Sequence, residues 1–163
     1  ETGRWTGAEV RVRWQHPELG VVPHERLLPL IESGGMLVDL GQWMLAEACR
    51  RLHDWQRRGV PIGMLVVRVS EAQMTRFDLE PALERLLRAD GIDAACLELS
   101  FDESILFKHP EQAREDFVGL HRLGVCLTLG EVGTSWLAPP VLRRVRHRGN
   151  PQLRLARLDR IRR

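Results

Sequence analysis

The sequence predicts an α/β fold in which a parallel sheet is covered by helices, and three observations lead there. Apolar stretches of strand length alternate strictly with stretches that carry a helical period. Several of the helical stretches open on Pro or close on Gly, the asymmetry expected of helix ends. No internal repeat, low-complexity tract or long linker divides the chain, so the 163 residues read as one domain. Strict β/α alternation argues for either a (β/α) barrel or a doubly wound sheet.

The elements follow in order. "GAEVRVRW" (7–14) alternates Val10 and Val12 with Glu9, Arg11 and Arg13, a strand with one charged face. "PHERLLPLIESGG" (23–35) is a short helix between Pro23 and a Gly pair. "DLGQWMLAEACRRLHDWQRRG" (39–59) places Leu40, Trp43, Met44, Ala48, Leu52 and Trp55 on one helical face, which predicts Trp43 and Trp55 as core. "IGMLVVRVS" (62–70) is a strand, "DLEPALERLLRADG" (78–91) a helix and "ACLELSF" (95–101) a strand. "PEQAREDFVGLHRLG" (110–124) is a helix and "VCLTLG" (125–130) a strand. "PPVLRRVRHRG" (139–149) reads as a helix and "QLRLARLD" (152–159) as a last strand.

Composition bounds the function. A hydrophobic share of 44% with 28% charged residues is ordinary for a globular protein. No apolar run approaches the roughly 18 residues that span a membrane, and no signal-peptide pattern opens the chain. Cys49, Cys96 and Cys126 sit singly in apolar segments without CxxC spacing, so they read as buried free thiols in a reducing, cytoplasmic compartment. The net charge of +2 is too small to argue for a nucleic-acid partner. Arginines crowd the stretch from Arg143 to Arg163; they read as a solvated helix face, with an anion-binding surface as the minority reading.

Ligands gather at the carboxyl ends of parallel strands. Those ends are Arg11–Trp14, Arg68–Ser70, Ser100–Ser104, Gly130–Thr134 and Arg157–Asp159, and none is followed by a GxGxxG or GxxxxGKS loop. His16 and His24 flank a loop, but without carboxylates or thiols at ligand spacing they read as loop-capping groups rather than a metal pair.

Residues 7–49, "GAEVRVRWQHPELGVVPHERLLPLIESGGMLVDLGQWMLAEAC", resemble the opening of the EAL domain, a bacterial cyclic di-GMP phosphodiesterase family. Glu9-Val10-Arg11 stands where that family has Glu-Ala-Leu, and Trp14, His16-Pro17, Gly20, Pro23, Pro29, Gly35, Gly41, Trp43 and Ala48-Cys49 stand in their expected places. "VVRVS" (66–70) resembles the family's Val-Asn-x-Ser, and "LELSFDES" (97–104) its Leu-Glu-Leu-Glu-Ile-Thr-Glu-Ser. "LTLGEVGTSW" (127–136) resembles Leu-Ala-Leu-Asp-Asp-Phe-Gly-Thr-Gly-Tyr, and "LARLDR" (155–160) resembles Leu-Lys-Ile-Asp-Arg. The resemblance implies a TIM-like (β/α) barrel of EAL type, incomplete in this chain: it covers strands 2 to 6 and lacks the last two. The whole chain, 1–163, is then a partial, degenerate EAL domain, either a fragment or a barrel completed by further sequence.

The family's chemistry is metal-assisted phosphodiester hydrolysis, with two Mg²⁺ or Mn²⁺ ions held chiefly by carboxylates. Glu9 is kept. The resemblance implies that the ligand Asn has become Arg68, the next Glu has become Ser100, and the first Asp of the Asp-Asp pair has become Gly130. The second Asp survives only as Glu131, and the Lys that helps activate water is Arg157. A guanidinium donates hydrogen bonds but cannot coordinate a cation or act as a general base. The negative charge of the family's set is cancelled here, and Arg11 in place of the motif's Leu tips the balance positive. Like charges about 4 Å apart repel by roughly 4 kcal/mol at an effective dielectric near 20. The expectation is a domain with no metal cofactor and no phosphodiesterase activity, in which Glu9, Glu131 and Arg157 are catalytic remnants.

Two non-enzymatic readings stand beside a third, an active phosphodiesterase. The first is a regulatory or protein-interaction module whose partner is another protein or an adjacent GGDEF or sensory domain, with Glu9–Arg68 and Glu131–Arg157 ion pairs plugging the old site. The second is a metal-independent cyclic di-GMP receptor in which Arg68, with Arg11 and Arg13, holds a phosphate. In that reading Arg13 matches the family's phosphate-contacting Arg and Pro23 a position beside the base. Against it, Leu27 replaces the Phe that stacks on guanine, and base–aromatic stacking is worth about 1–3 kcal/mol per base. The altered loop "GEVGTSW" with Trp136 also departs from the segment that links the family's metal site to its dimer helix.

Overall fold

The computed structural model describes residues 7–102, 104–130 and 153–155. In chain order the elements are β1 (Ala8–Glu9), β2 (Trp14–His16), β3 (Gly20–Val22), α1 (His24–Ser33), α2 (Leu37–Arg57), β4 (Leu65–Val69), α3 (Glu71–Arg76) and α4 (Leu79–Asp90). A 3₁₀ turn (Ala94–Cys96) then leads into β5 (Leu97–Asp102), α5 (Ser104–Lys108), α6 (Pro110–Arg122), β6 (Cys126–Gly130) and β7 (Leu153–Leu155). The main sheet has the order β1-β4-β5-β6-β7 and every pairing in it is parallel, as the alternation of strands and helices predicts.

One face of this sheet makes the core. Leu65, Val67, Val69, Leu97, Leu99, Phe101, Leu127 and Leu129 alternate along their strands and are buried. They pack with Leu45, Ala48, Cys49 and Leu52 of α2, Leu83 and Leu87 of α4, and Ala113, Phe117 and Leu120 of α6. Full burial of each such side chain contributes about 1.5–3 kcal/mol, so this face dictates the register. The opposite face carries Glu9, Val66, Arg68, Glu98, Ser100, Asp102 and Thr128.

The first strand is shorter than "GAEVRVRW" suggests. Val10 still donates from its backbone N–H to the Val66 carbonyl at 2.9 Å, and then the chain leaves the sheet. Trp14–His16 instead pairs antiparallel with Gly20–Val22, a hairpin that the alternation of Val and Arg conceals. His16 closes its turn: Nδ1 accepts the backbone N–H groups of Glu18 and Leu19, both at 3.1 Å. The loop-capping role expected of His16 is the one it plays. Val12, Val22, Leu27 and Met44 form a second small cluster that seats the hairpin on α1 and α2.

Trp43 departs from its expected place in the core. The buried stripe of α2 runs through Gly41, Met44, Leu45, Ala48, Cys49 and Leu52, and Trp43 lies off it, 58% exposed. Trp55 is partly buried against the core. All three cysteines are free, but only Cys49 is fully buried; Cys96 and Cys126 are half-buried. Burial and the neighbouring Asp93 carboxylate push the Cys96 thiol up. Two short helices unforeseen in the sequence, α3 and α5, follow β4 and β5 directly. The helix read at 139–149 lies outside the described residues, and of the strand read at 152–159 only Leu153–Leu155 is described.

Candidate functional site

Glu9 and Arg68 come from the carboxyl ends of neighbouring parallel strands. The pairing of Glu9 with Val66 places Arg68 one side-chain step farther along the same face. Arg68 sits in register with Ser100, which sits in register with Thr128. Asp102 lies opposite Gly130 at the very end of β5 and β6. Four positions that the resemblance ties to the family's metal site are therefore gathered at one end of the sheet: Glu9, Arg68, Ser100 and Gly130. Glu131 and Arg157 lie outside the described residues, and with them the expected Glu131–Arg157 pair.

The ion pairs differ from the expected plug. Glu9 is taken by its own neighbour: Arg11 donates to Glu9 Oε2 from Nη2 at 3.0 Å and from Nε at 3.3 Å. A second arm of Arg11 reaches Glu25 Oε1, in the first turn of α1, at 3.5 Å. All three groups are solvent-facing, so each pair is worth about 0–1 kcal/mol. Arg68 instead approaches Asp102 Oδ2 at 3.8 Å, an ion-pair distance too long for a good hydrogen bond. The other oxygen of Asp102 accepts the Ser104 backbone N–H at 2.8 Å and so caps the entry to α5.

The remaining predicted site residues are dispersed. Pro23 is the residue before α1 and is exposed, as is Arg13; neither lines the cavity that Glu9 and Arg68 share. Leu27, in the place of the family's stacking Phe, is buried in the small cluster beneath the hairpin. That cavity has a volume of about 200 Å³ and lies between β1, β4, α1 and α2, walled by Val10, Leu28, Leu37, Leu40 and Met44. Among the described residues no group of three His, Cys, Asp or Glu side chains is arranged to hold a metal ion. No described helix is long and apolar enough to cross a membrane.

Two structural features at the rim of the site go beyond the sequence-based expectations. The first is the start of α3, where Ser70 and Gln73 form a reciprocal capping box just after Arg68. The Ser-x-x-Gln spacing announces it in retrospect. The second is a clamp on the rim: Glu71 accepts from Lys108 Nζ at 2.6 Å and meets His109 Nε2 at 3.2 Å, which ties α3 to the segment after β5. The hydrogen bond from Lys108, and after it that from His109, holds the Glu71 carboxyl below its ordinary range against the opposing effect of burial. No local pattern marks a contact between residues so distant along the chain.

Comparison with known proteins accords with this architecture. The EAL domain family profile matches residues 1–149. The chain is 32% identical over 135 residues to cyclic di-GMP phosphodiesterase PA2567 of Pseudomonas aeruginosa, covering 83% of this chain and 23% of that protein. It is 32% identical over 136 residues to the oxygen sensor protein DosP of Escherichia coli K12, covering 83% of this chain and 17% of DosP. The chain thus spans about a fifth of the length of these curated relatives. The solved PaMucR phosphodiesterase, in complex with c-di-GMP, matches with a TM-score of 0.80 at 27% identity, over 87% of this chain and 57% of that one. A family match across nine-tenths of the sequence, on a parallel sheet that gathers the motif positions at one end, makes the chain a member of the EAL domain family.

Proposed function

We propose that this chain is a non-catalytic EAL module that acts in bacterial cyclic di-GMP signalling as a regulatory or protein-interaction element. One observation carries the reading. Arg68 and Ser100 stand side by side in register where the family resemblance implies a ligand Asn and a ligand Glu. The one carboxylate kept from the motif among the described residues, Glu9, is already hydrogen-bonded to Arg11. A divalent cation needs several oxygen ligands. Here it would find an arginine and a hydroxyl in place of two of them, and a carboxylate shared with a guanidinium.

The second reading, metal-independent cyclic di-GMP binding, rests on Arg68, whose side chain is 50% exposed at the mouth of the cavity. Arg11 counts against it, since Glu9 and Glu25 both face its charge. Calorimetric titration of cyclic di-GMP into the protein, once with Mg²⁺ and once with EDTA, separates the readings. Binding that persists in EDTA supports a receptor, and its loss on Arg68→Asn assigns that residue. Absence of binding in both buffers supports the interaction module.

A further inference from the structure

The cavity between β1, β4, α1 and α2 holds polar groups with unused hydrogen-bonding capacity, and their chemistry specifies an occupant. Gln73 lines the cavity and is only 3% exposed. Its Oε1 accepts the Ser70 backbone N–H at 3.1 Å and the Ser70 hydroxyl at 3.2 Å, while its own backbone N–H donates to Ser70 Oγ at 3.3 Å. A backbone N–H must face an oxygen, so this contact fixes the orientation of the amide and turns Nε2 away from Ser70. Among the described residues Nε2 donates to no partner; its two N–H groups remain unspent. The amide lies flat against the backbone of Gly41, where any Cβ would collide with it.

His24, in the first turn of α1, lines the same cavity, and its buried Nδ1 has no hydrogen-bond partner. Leaving a buried polar group unpaired costs about 1–3 kcal/mol, so water or a ligand belongs beside His24 Nδ1. The rest of the wall is Val10, Leu28, Leu37, Leu40 and Met44. Apolar walls with a few convergent polar groups are the usual make-up of a small-molecule site, and about 200 Å³ restricts this one to a compact ligand.

The charges on the wall select against an ion. Glu9 is offset by Arg11, Arg68 faces Asp102, and the exposed Glu32 contributes a negative charge at the rim. Among the described residues that line the cavity, Glu9 and Glu32 outnumber Arg68, so no net positive charge there favours a carboxylate or phosphate. The unspent Gln73 N–H groups call for an acceptor oxygen. We propose that the cavity binds a compact neutral molecule with an apolar body and a carbonyl-type oxygen, which accepts from Gln73 Nε2 while His24 contacts its polar edge. Such a site gives the module a small-molecule input that needs neither metal nor dinucleotide; it shares Glu9 and Arg68 with the candidate site but draws its selectivity from Gln73 and His24.

The test uses three probes of similar size, acetophenone, ethylbenzene and benzoate, titrated into the full chain by ligand-observed NMR. Acetophenone binds about five- to tenfold more tightly than ethylbenzene, the margin expected of one buried hydrogen bond, and more tightly than benzoate. Leu40→Trp, which fills the cavity from its wall, abolishes acetophenone binding in a protein whose cooperative melt shows it folded. Gln73→Met keeps the bulk, removes the donors and brings the acetophenone-to-ethylbenzene ratio close to one. Equal affinity for acetophenone and ethylbenzene in the unmodified protein, preference for benzoate, undiminished binding in Leu40→Trp, or no acetophenone binding up to its solubility each overturns the proposal. None of these outcomes bears on hydrolysis of cyclic di-GMP.

Discussion

Arg11 donates two hydrogen bonds to a single oxygen of Glu9, at 3.0 and 3.3 Å, from a position two residues along the same chain. The family resemblance puts a Leu at that position and makes Glu9 a metal ligand. The arginine therefore does more than add charge: it supplies the carboxylate with a partner that travels with it. Arg11 also reaches Glu25, so the pair joins the end of β1 to the start of α1.

Restoring the family's residues should restore the affinity that they confer. The combined change Arg11→Leu, Arg68→Asn, Ser100→Glu and Gly130→Asp frees Glu9 and adds two carboxylates and an amide at the strand ends. Calorimetric titration of Mn²⁺ is expected to show binding in this variant and none in the parent. Equal Mn²⁺ binding by both proteins would contradict the account of the site.

The Glu71 clamp predicts a pH dependence. Lys108 and His109 lower the folded-state pKa of Glu71. A depressed carboxylate stabilises the fold above its unfolded pKa of about 4.3, and that stability is lost as pH falls through the folded value. Glu71→Gln should lower the melting temperature at pH 7 by less than about 3 °C, because the pair is partly exposed. The difference from the parent should close as the melt is repeated toward pH 3. A gap that stays constant across that range would show that the clamp is not electrostatic.

The cap of α3 has its own expected cost. Ser70→Ala removes the oxygen that accepts the Gln73 N–H and should destabilise the protein by about 0.5–2 kcal/mol in urea unfolding. Ser70→Asp, which can still cap, should recover most of that loss. No recovery would mean that the Ser70 contact to the Gln73 amide, rather than the cap, is what matters.

The core gives the largest effect. Leu99 is fully buried at the centre of β5, between β4 and β6. Leu99→Ala should cost about 2–5 kcal/mol, read from the shift in urea midpoint at unchanged slope. A loss below 1 kcal/mol would argue against the register of the central strands.

What the sequence made legible follows from which signals are local. Alternation of Leu65, Val67 and Val69, or of Leu97, Leu99 and Phe101, is a two-residue period, and the strands appear where it predicts them. The hairpin at 14–22 was hidden because Val10, Val12 and Trp14 continue the same period across the point where the chain leaves the sheet. Trp43 is one helical step from Leu40 but about 120° round the helix from Trp55, and the stripe that α2 buries, through Met44 and Ala48, lies on the far side from it. At the site, motif order alone aligned Glu9, Arg68 and Ser100, and the register agrees. The partners were beyond it: Arg11 rather than Arg68 at Glu9, and Asp102 at Arg68, depend on side-chain reach that no spacing encodes.

The most direct test of the central claim is incubation of cyclic di-GMP with the whole protein that carries this chain, with Mg²⁺ or Mn²⁺, followed by chromatographic detection of pGpG. No pGpG above that formed in buffer with the same metal is expected. Metal-dependent pGpG formation that disappears with EDTA would contradict the claim.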